Sequence, residues 1–479
     1  MTGRWWSCCA LLVLLQSVAA PVAAQPAPPP PSPVEGRWEG AILIMGTELK
    51  IAIAFKTAGT GLSATIDIPQ QGATNLPLTA VQYGAGKVHF ELQAGPGLAV
   101  WEGELKGGEI SGRFAQAGAE GTFALRRAAQ RPAPAPLEPL PYAEEEVKVQ
   151  SGQVTLAGTL TLPRTGGPFP ALVMISGSGA QNRDEEVFGF KLFRLIADHL
   201  SRDGFAVLRV DDRGVGGSTG SVAASTSEDF AGDALAEVAY LKGRRDIDPK
   251  RIGLCGHSEG GLVAPIAAAR SSDVAFIVLM APPGLTGEKI LIAQGEAIGR
   301  AEHVPEAEIQ KNAELQRKIF AAVRAGQGFT ELRDEIRRMV LARINELPAE
   351  QRKAISNPEQ YAEKTADQQI RGVQSAWFRF FLDYDPAPAL TRVRCPVLAL
   401  FGDLDLQVVP HDENQKAIIG ALERGGNRDH TVKTIPGANH LFQEAKTGSP
   451  TEYATLEKAF AQNFLSELTA WLKAKTATP

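Results

Sequence analysis

Six short apolar runs, separated by helical and turn-rich stretches, constrain this chain more than any other feature: Ala171–Ile175, Phe205–Val210, Ile252–Cys255, Val274–Met280, Pro396–Phe401 and Val432–Ile435. Apart from Arg209 and the Lys433-Thr434 pair in the last run, their apolarity is continuous rather than alternating, so the strands are expected to be buried on both faces. That is the signature of a mostly parallel sheet with helices on both faces, an α/β fold. Helical patterns at Val187–Ser201, Phe230–Lys242 and Gly261–Arg270 fall between the runs. Val147–Val149 and Val154–Leu162 read as a leading hairpin with Gly152 in its turn. The stretch 284–388 carries helical patterns rich in Glu, Gln, Arg and Ala and no strand of the sheet type. It reads as an inserted helical cap; the alternative is a thickening of the helical layer with no role at a site.

A length of 479 residues exceeds one ordinary core, so more than one domain is expected. Residues 34–127 hold short alternating runs between glycine-rich turns, the pattern of a small antiparallel β domain, a sandwich or partial barrel. Residues 128–141 contain five prolines and read as a semi-rigid linker. The α/β domain then occupies 142–479. At the N-terminus, Arg4, the apolar run Leu11–Leu15 and the small residues Val22-Ala23-Ala24 have the layout of a secretory signal peptide over 1–24. The apolar run is shorter than the roughly 20 residues of a membrane span, although an uncleaved anchor is the other reading. A secreted or periplasmic location is therefore expected, without stable membrane insertion. Cleavage would remove one basic and no acidic residue, taking the formal charge from -5 to -6.

That mild acidity, 49 Lys+Arg against 54 Asp+Glu, argues against a nucleic-acid partner, which would favour a basic face. Of four cysteines, two leave with the signal. Cys255 ends one strand and Cys395 begins another, which puts them at opposite edges of a parallel sheet. A disulfide needs Cα atoms within about 7 Å, so free buried thiols are expected. No motif calls for a metal or another cofactor.

The pattern Gly-x-Ser-x-Gly occurs twice, at Gly216–Gly220 and Gly256–Gly260. It carries chemistry only where a strand leads into it and a helix leads out, because that turn exposes the hydroxyl and aims the next backbone N–H at the same space. Ser258 has both flanks; Ser218 runs into Ser221, Ser225, Thr226 and Ser227, a loop. A serine hydroxyl needs a base, and the base needs an orienting carboxylate. Asp405, past the turn after Pro396–Leu400, is the expected acid, with Asp403 as the alternative. His440, in the loop after the last strand, is the expected base. His411 and His430 then read as ordinary surface histidines, and His257 as packing beneath the turn. Developing negative charge on an acyl oxygen requires donors. The backbone N–H of Glu259 and that of Ser178, in Ser176-Gly177-Ser178-Gly179, are the expected pair, with Gly177 as the alternative to Ser178.

As a set, Ser176–Gly179, Asp212-Arg213-Gly214-Val215-Gly216-Gly217-Ser218, Gly256–Gly260, Gly402–Asp405 and Asn439-His440 resemble the α/β-hydrolase superfamily, in particular bacterial esterase-like members with a helical cap and an N-terminal β domain. The resemblance covers 142–479. It implies that Asp212-Arg213-Gly214 is a structural loop near the site. Ser176 stands where a histidine is common in that family, which leaves the oxyanion donor open. The resulting expectation is an exported hydrolase that cleaves small-molecule carboxylic esters through an acyl-enzyme. An exopeptidase or amidase on the same residues, and a non-catalytic binding protein, are the competing readings. Ala376–Phe381 is the densest aromatic cluster, either core or the wall of an acyl pocket, and Glu259 and Arg379 are candidate contacts for a polar substrate.

Overall fold

The computed structural model describes residues 32–128, 140–347 and 357–477, apart from 45–46, 59–60, 69–72, 95–96 and 117–118, together with Arg352 and Ile355. The expected signal segment 1–24 and most of the linker lie outside the described residues.

Strands β1 (Gly36–Ile44), β2 (Thr47–Ala58), β3 (Gly61–Ile68), β4 (Ala73–Pro77), β5 (Thr79–Gly84), β6 (Lys87–Ala94), β7 (Gly97–Lys106), β8 (Glu109–Gln116) and β9 (Ala119–Arg127) form one sheet in the order β4-β3-β2-β1-β9-β8-β7-β6-β5. All of its described pairs are antiparallel. The end strands β4 and β5 are separated in sequence only by Leu78, whose N–H bonds the Ala64 carbonyl on β3 at 2.9 Å. A sheet whose two edge strands are consecutive in sequence must roll up on itself. Of the two expected forms, the nearly closed barrel is the one adopted. Trp38, Ile53, Phe55, Phe90, Trp101 and Phe123 fill its interior.

The second sheet contains β10 (Tyr142–Ser151), β11 (Val154–Pro163), β12 (Phe169–Ile175), β15 (Ala206–Val210), β16 (Ile247–His257), β17 (Phe276–Met280), β18 (Val397–Gly402) and β19 (His430–Ile435), ordered β10-β11-β15-β12-β16-β17-β18-β19. From β15 to β19 every pairing is parallel. Helices α1 (Leu192–Arg202) and α11 (Phe464–Thr476) cover one face through Phe193, Ile196, Leu200, Phe464 and Leu468. On the other face lie α2 (Ser227–Lys242), α3 (Gly260–Ala268) and α10 (His411–Arg424), with Val238, Leu241, Val263, Ile266 and Ile418 inward. This is the α/β-hydrolase fold. Among the described residues both cysteine thiols are free; Cys255 is buried and Cys395 partly so.

Between the paired strands β17 and β18 the chain leaves the sheet. It forms α4 (Gly287–Ala301), α5 (Glu306–Ala325), α6 (Phe329–Glu346), α7 (Pro358–Val373) and α8 (Ala376–Asp383), then the short α9 (Ala387–Leu390). These helices bury small cores of their own, such as Leu332, Ile336, Ala366 and Ile370. The helix expected at Val187–Ser201 begins only at Leu192. A miniature hairpin, β13 (Glu186–Val187) and β14 (Phe190–Lys191), precedes it, turning at Phe188 (φ 49°) and Gly189 (φ 79°). Positive φ at both central residues is the geometry of a tight two-residue hairpin turn, which breaks helical periodicity.

The sheet centre leaves no room at Gly253: a Cβ there would lie 2.1 Å from the Phe276 ring. Gly253→Val should cost about 2 kcal/mol or more through overpacking, read as a lower urea midpoint. An unchanged midpoint would refute this close approach.

Candidate active site

The candidate side chains stand at the carboxyl ends of parallel strands, where open α/β sheets place their ligand sites. Ser258 follows β16 and precedes α3, with φ of 52°. A left-handed backbone costs a non-glycine residue about 1–2 kcal/mol, so the surroundings must impose it. The Ser258 N–H is held by the Met280 carbonyl at 2.8 Å, and its carbonyl accepts from Gly261 at 2.8 Å. Packing leaves no slack around it. A Cβ on Gly256 would lie 2.0 Å from the Gly260 carbonyl oxygen, and one on Gly260 would lie 2.2 Å from that of Ile175.

Asp405, after β18, is fully buried, and His440, after β19, is nearly so. His440 Nδ1 donates to Asp405 Oδ2 at 2.8 Å. The other Asp405 oxygen accepts from the N–H groups of Gln407 (2.7 Å) and Val408 (3.1 Å). Burial alone would raise this carboxyl. The His440 imidazole and the two backbone donors outweigh it and hold Asp405 below the ordinary carboxylate range. Ser258, His440 and Ser178 line one cavity of about 250 Å³, with Gln407, Leu441 and Tyr453. Asp403, the alternative acid, is exposed.

Two of the alternatives have other work. Ser218 donates to the Asp211 carbonyl (2.7 Å) and accepts from the Ala157 N–H (2.9 Å), pinning a loop to β11. The Gly177 N–H donates to Glu185 Oε1 at 2.7 Å and is thereby occupied, and Ser178 is among the residues that line the cavity. Glu259 occupies the N-cap position of α3 without a side-chain cap bond, at the helix end where backbone N–H groups lack intrahelical partners. His411, read from sequence as a surface residue, instead bonds the Asp405 carbonyl through Nε2 at 2.6 Å. His430 meets the Asn427 carbonyl at 3.2 Å. His257 does lie beneath the turn, but it is hydrogen-bonded rather than merely packed: its ring nitrogens meet Glu185 Oε1 (2.8 Å) and the His440 carbonyl (2.9 Å).

The Glu259 side chain does not face a substrate. It accepts from the Ser227 hydroxyl at 2.6 Å and from the Trp377 indole N–H at 2.8 Å, joining the turn to cap helix α8. Arg379 is exposed on the same helix. The aromatic cluster divides: Phe381 is core and stacks on Trp377, whereas Trp377 and Phe378 border a cavity of about 790 Å³ that reaches Ser178. A smaller cavity of about 40 Å³ behind the site is bordered by Asp212, Glu237 and Glu259. Burial raises all three carboxyls: Asp212 to about 7, Glu237 well above the usual carboxylate range, and Glu259 in the same direction. Sequence reasoning missed Glu185 and Ser227, and it singled out Trp377 only as part of the aromatic cluster, not as a partner of Glu259. Ser227 left a trace in the Thr226-to-Asp229 spacing of a capping box that starts α2, where the Thr226 N–H donates to Asp229 at 2.8 Å. Among the described residues, no group of three or more His, Cys, Asp or Glu side chains is arranged to hold a metal ion. No described helix is long and apolar enough to cross a membrane.

A model of the alpha/beta hydrolase family matches residues 172–456. The chain is 26% identical over 341 residues to esterase EstD of Thermotoga maritima, covering 70% of this chain and 69% of EstD. It is 29% identical over 131 residues to the putative hydrolase YtaP of Bacillus subtilis, covering 24% of this chain and 44% of that protein. Among solved structures, a Pyrococcus furiosus esterase aligns with 70% of this chain and 92% of its own at 16% identity, with a TM-score of 0.42.

Glu237 has a raised folded pKa, so the native state keeps a proton that the unfolded state sheds. Its contribution to stability therefore falls as pH rises from the unfolded value of about 4.3 towards the folded one. Glu237→Gln removes that loss. The stability gap between variant and wild type should shift in favour of the variant from pH 5 to pH 8, read as urea midpoints. Parallel pH profiles would contradict the assignment.

Proposed function

The chain belongs to the alpha/beta hydrolase family, and we propose that it is an exported serine hydrolase that cleaves carboxylic esters through an acyl-enzyme intermediate. The observation that carries this reading is the buried Asp405–His440 bond of 2.8 Å, with His440 lining the same cavity as Ser258. A carboxylate that accepts from Nδ1 fixes the imidazole tautomer, so Nε2 keeps a lone pair for the Ser258 proton.

In the proposed reaction Ser258 Oγ attacks the ester carbonyl while His440 takes its proton. The Ser178 and Glu259 N–H groups stabilise the oxyanion. Collapse of the tetrahedral species breaks the bond to the alcohol oxygen, which receives the proton from His440. Water, deprotonated by the same histidine, then attacks the acyl-serine and releases the acid. The similarity to esterase EstD supports an ester as the substrate. Because His440 must reach the leaving oxygen, the alcohol half belongs on its side of the cavity. The acyl half then points past Ser178 towards Trp377 and Phe378, into the larger cavity of about 790 Å³.

An exopeptidase on the same residues would need a carboxylate free to bind the substrate amine. Glu259, adjacent to the nucleophile, is instead committed to Ser227 and Trp377. A panel of aryl esters of increasing acyl length, run beside aminoacyl anilides, separates the two. Esters should turn over, with kcat/KM rising from acetyl to longer chains, and Ser258→Ala should abolish the activity. Asp405→Asn should lower kcat about 10⁴-fold. Turnover of anilides without esters would reject this reading. Export is tested by N-terminal sequencing of the secreted protein, expected to begin at Gln25.

A further inference from the structure

Behind Ser258 lies a second histidine–carboxylate contact that the ester-cleavage mechanism does not use. We propose that Glu185 and His257 form a positioning pair that holds the oxyanion loop and the backbone of the general base in register with the nucleophile. The proposal rests on the esterase reading above.

The pair touches each of the three segments that must converge. Glu185 Oε1 accepts from the Gly177 N–H at 2.7 Å and meets His257 Nδ1 at 2.8 Å. His257 is the residue before the nucleophile. Its Nε2 donates to the His440 carbonyl at 2.9 Å. One carboxylate and one imidazole therefore tie Gly177, Ser258 and His440 to each other, though they sit in loops after β12, β16 and β19. His440 is thereby fixed at both ends, through its backbone by His257 and through its ring by Asp405. The fit at Gly177 is close: a Cβ there would lie 3.0 Å from Glu185 Oε1 and 3.2 Å from Ser258 Cβ. Glu185 is 2% exposed and is held at φ 45°, a left-handed conformation that a non-glycine side chain adopts at a cost. Its loop is pinned by Arg183, which reaches Asp211 at 2.8 Å and Glu146 at 2.7 Å.

Proton counting shows why the pair acts as a unit. A carbonyl oxygen only accepts, so His257 Nε2 carries a proton. The Nδ1–Oε1 contact needs one more. The pair is then either imidazolium with carboxylate or imidazole with carboxylic acid, and it is neutral overall in both. Burial disfavours the imidazolium, but the Glu185 charge and hydrogen bond, the bond to the His440 carbonyl and the Asp405 charge outweigh it, so the His257 pKa is raised. The other ionisable groups facing the pair are Asp212 and Cys255, both in the field of Glu185, and the His440 ring, 4.8 Å from that of His257. Because the folded pKa is raised, the pair's contribution is complete below about pH 6.5 and is lost as pH climbs through the folded value.

The amide in Glu185→Gln can accept from Gly177. It cannot also receive a proton from a neutral imidazole whose only N–H serves His440. Glu185→Gln and His257→Gln should each lower kcat for an aryl ester about 10²-fold, the cost of a misplacement near 1 Å, while KM changes by less than about threefold. The double variant should be no worse than the weaker single one, since partners in one unit are not additive. The alkaline limb of kcat should move to lower pH in Glu185→Gln, an effect that a purely structural role would not produce. Should either variant fail to fold, Glu185→Asp keeps the charge one methylene short and should show the same loss in kcat with KM held. Multiplicative losses in the double variant, or losses confined to KM with an unmoved pH profile, would overturn the proposal. If wild-type protein hydrolyses no ester at all, the esterase reading fails instead.

Discussion

Everything at the site depends on the left-handed backbone of Ser258. That conformation is not cheap, and nothing local to the residue makes it so. It persists because β16 is locked between β12 and β17, because Met280 on β17 captures the Ser258 N–H, and because Gly256 and Gly260 let strand, turn and helix approach until no atom can be added. The register of the central sheet thus becomes the register of the site. Strand β12 ends in the Ser176–Gly179 loop, β18 leads to Asp405 and β19 to His440, so strand pairing brings residues as far apart in sequence as Ser178 and His440 into one cavity.

Much of this was legible in the sequence, for reasons that can be named. Parallel strands buried on both faces appear as unbroken apolar runs, and the strand-turn-helix context separated Ser258 from Ser218. The order of acid and base follows from which loops sit at the carboxyl edge. What stayed hidden has a common cause. The Glu185–His257 contact, the His411 bond to the Asp405 carbonyl and the Trp377–Glu259 bond all join side chains remote in sequence and on separate elements. Such contacts obey no period. The hairpin at Glu186–Lys191 was missed for the opposite reason: two residues of positive φ override an apolar spacing that otherwise suits a helix. Barrel and sandwich share the same alternation, so only the pairing of strands could separate them.

The cap is more than an appendage set over the sheet. Its helix α8 reaches the residue beside Ser258 through one indole N–H, and the recipient carboxylate is almost wholly buried. An ionised group in that position needs each of its donors. The start of α2 supplies one through Ser227 and the cap supplies another through Trp377, so the wall of the larger cavity and the Ser258 turn share a single buried anchor.

The N-terminal barrel carries a consequence of a different kind. An open sheet of nine strands would present two long rows of unpaired amides, each a template for a strand from another molecule. Here β4 and β5 are consecutive in sequence, and Leu78 between them bonds Ala64 on β3, so the sheet turns back on itself where its two ends would otherwise lie far apart. A module rolled up in this way offers its neighbours less open edge on which a foreign strand could pair.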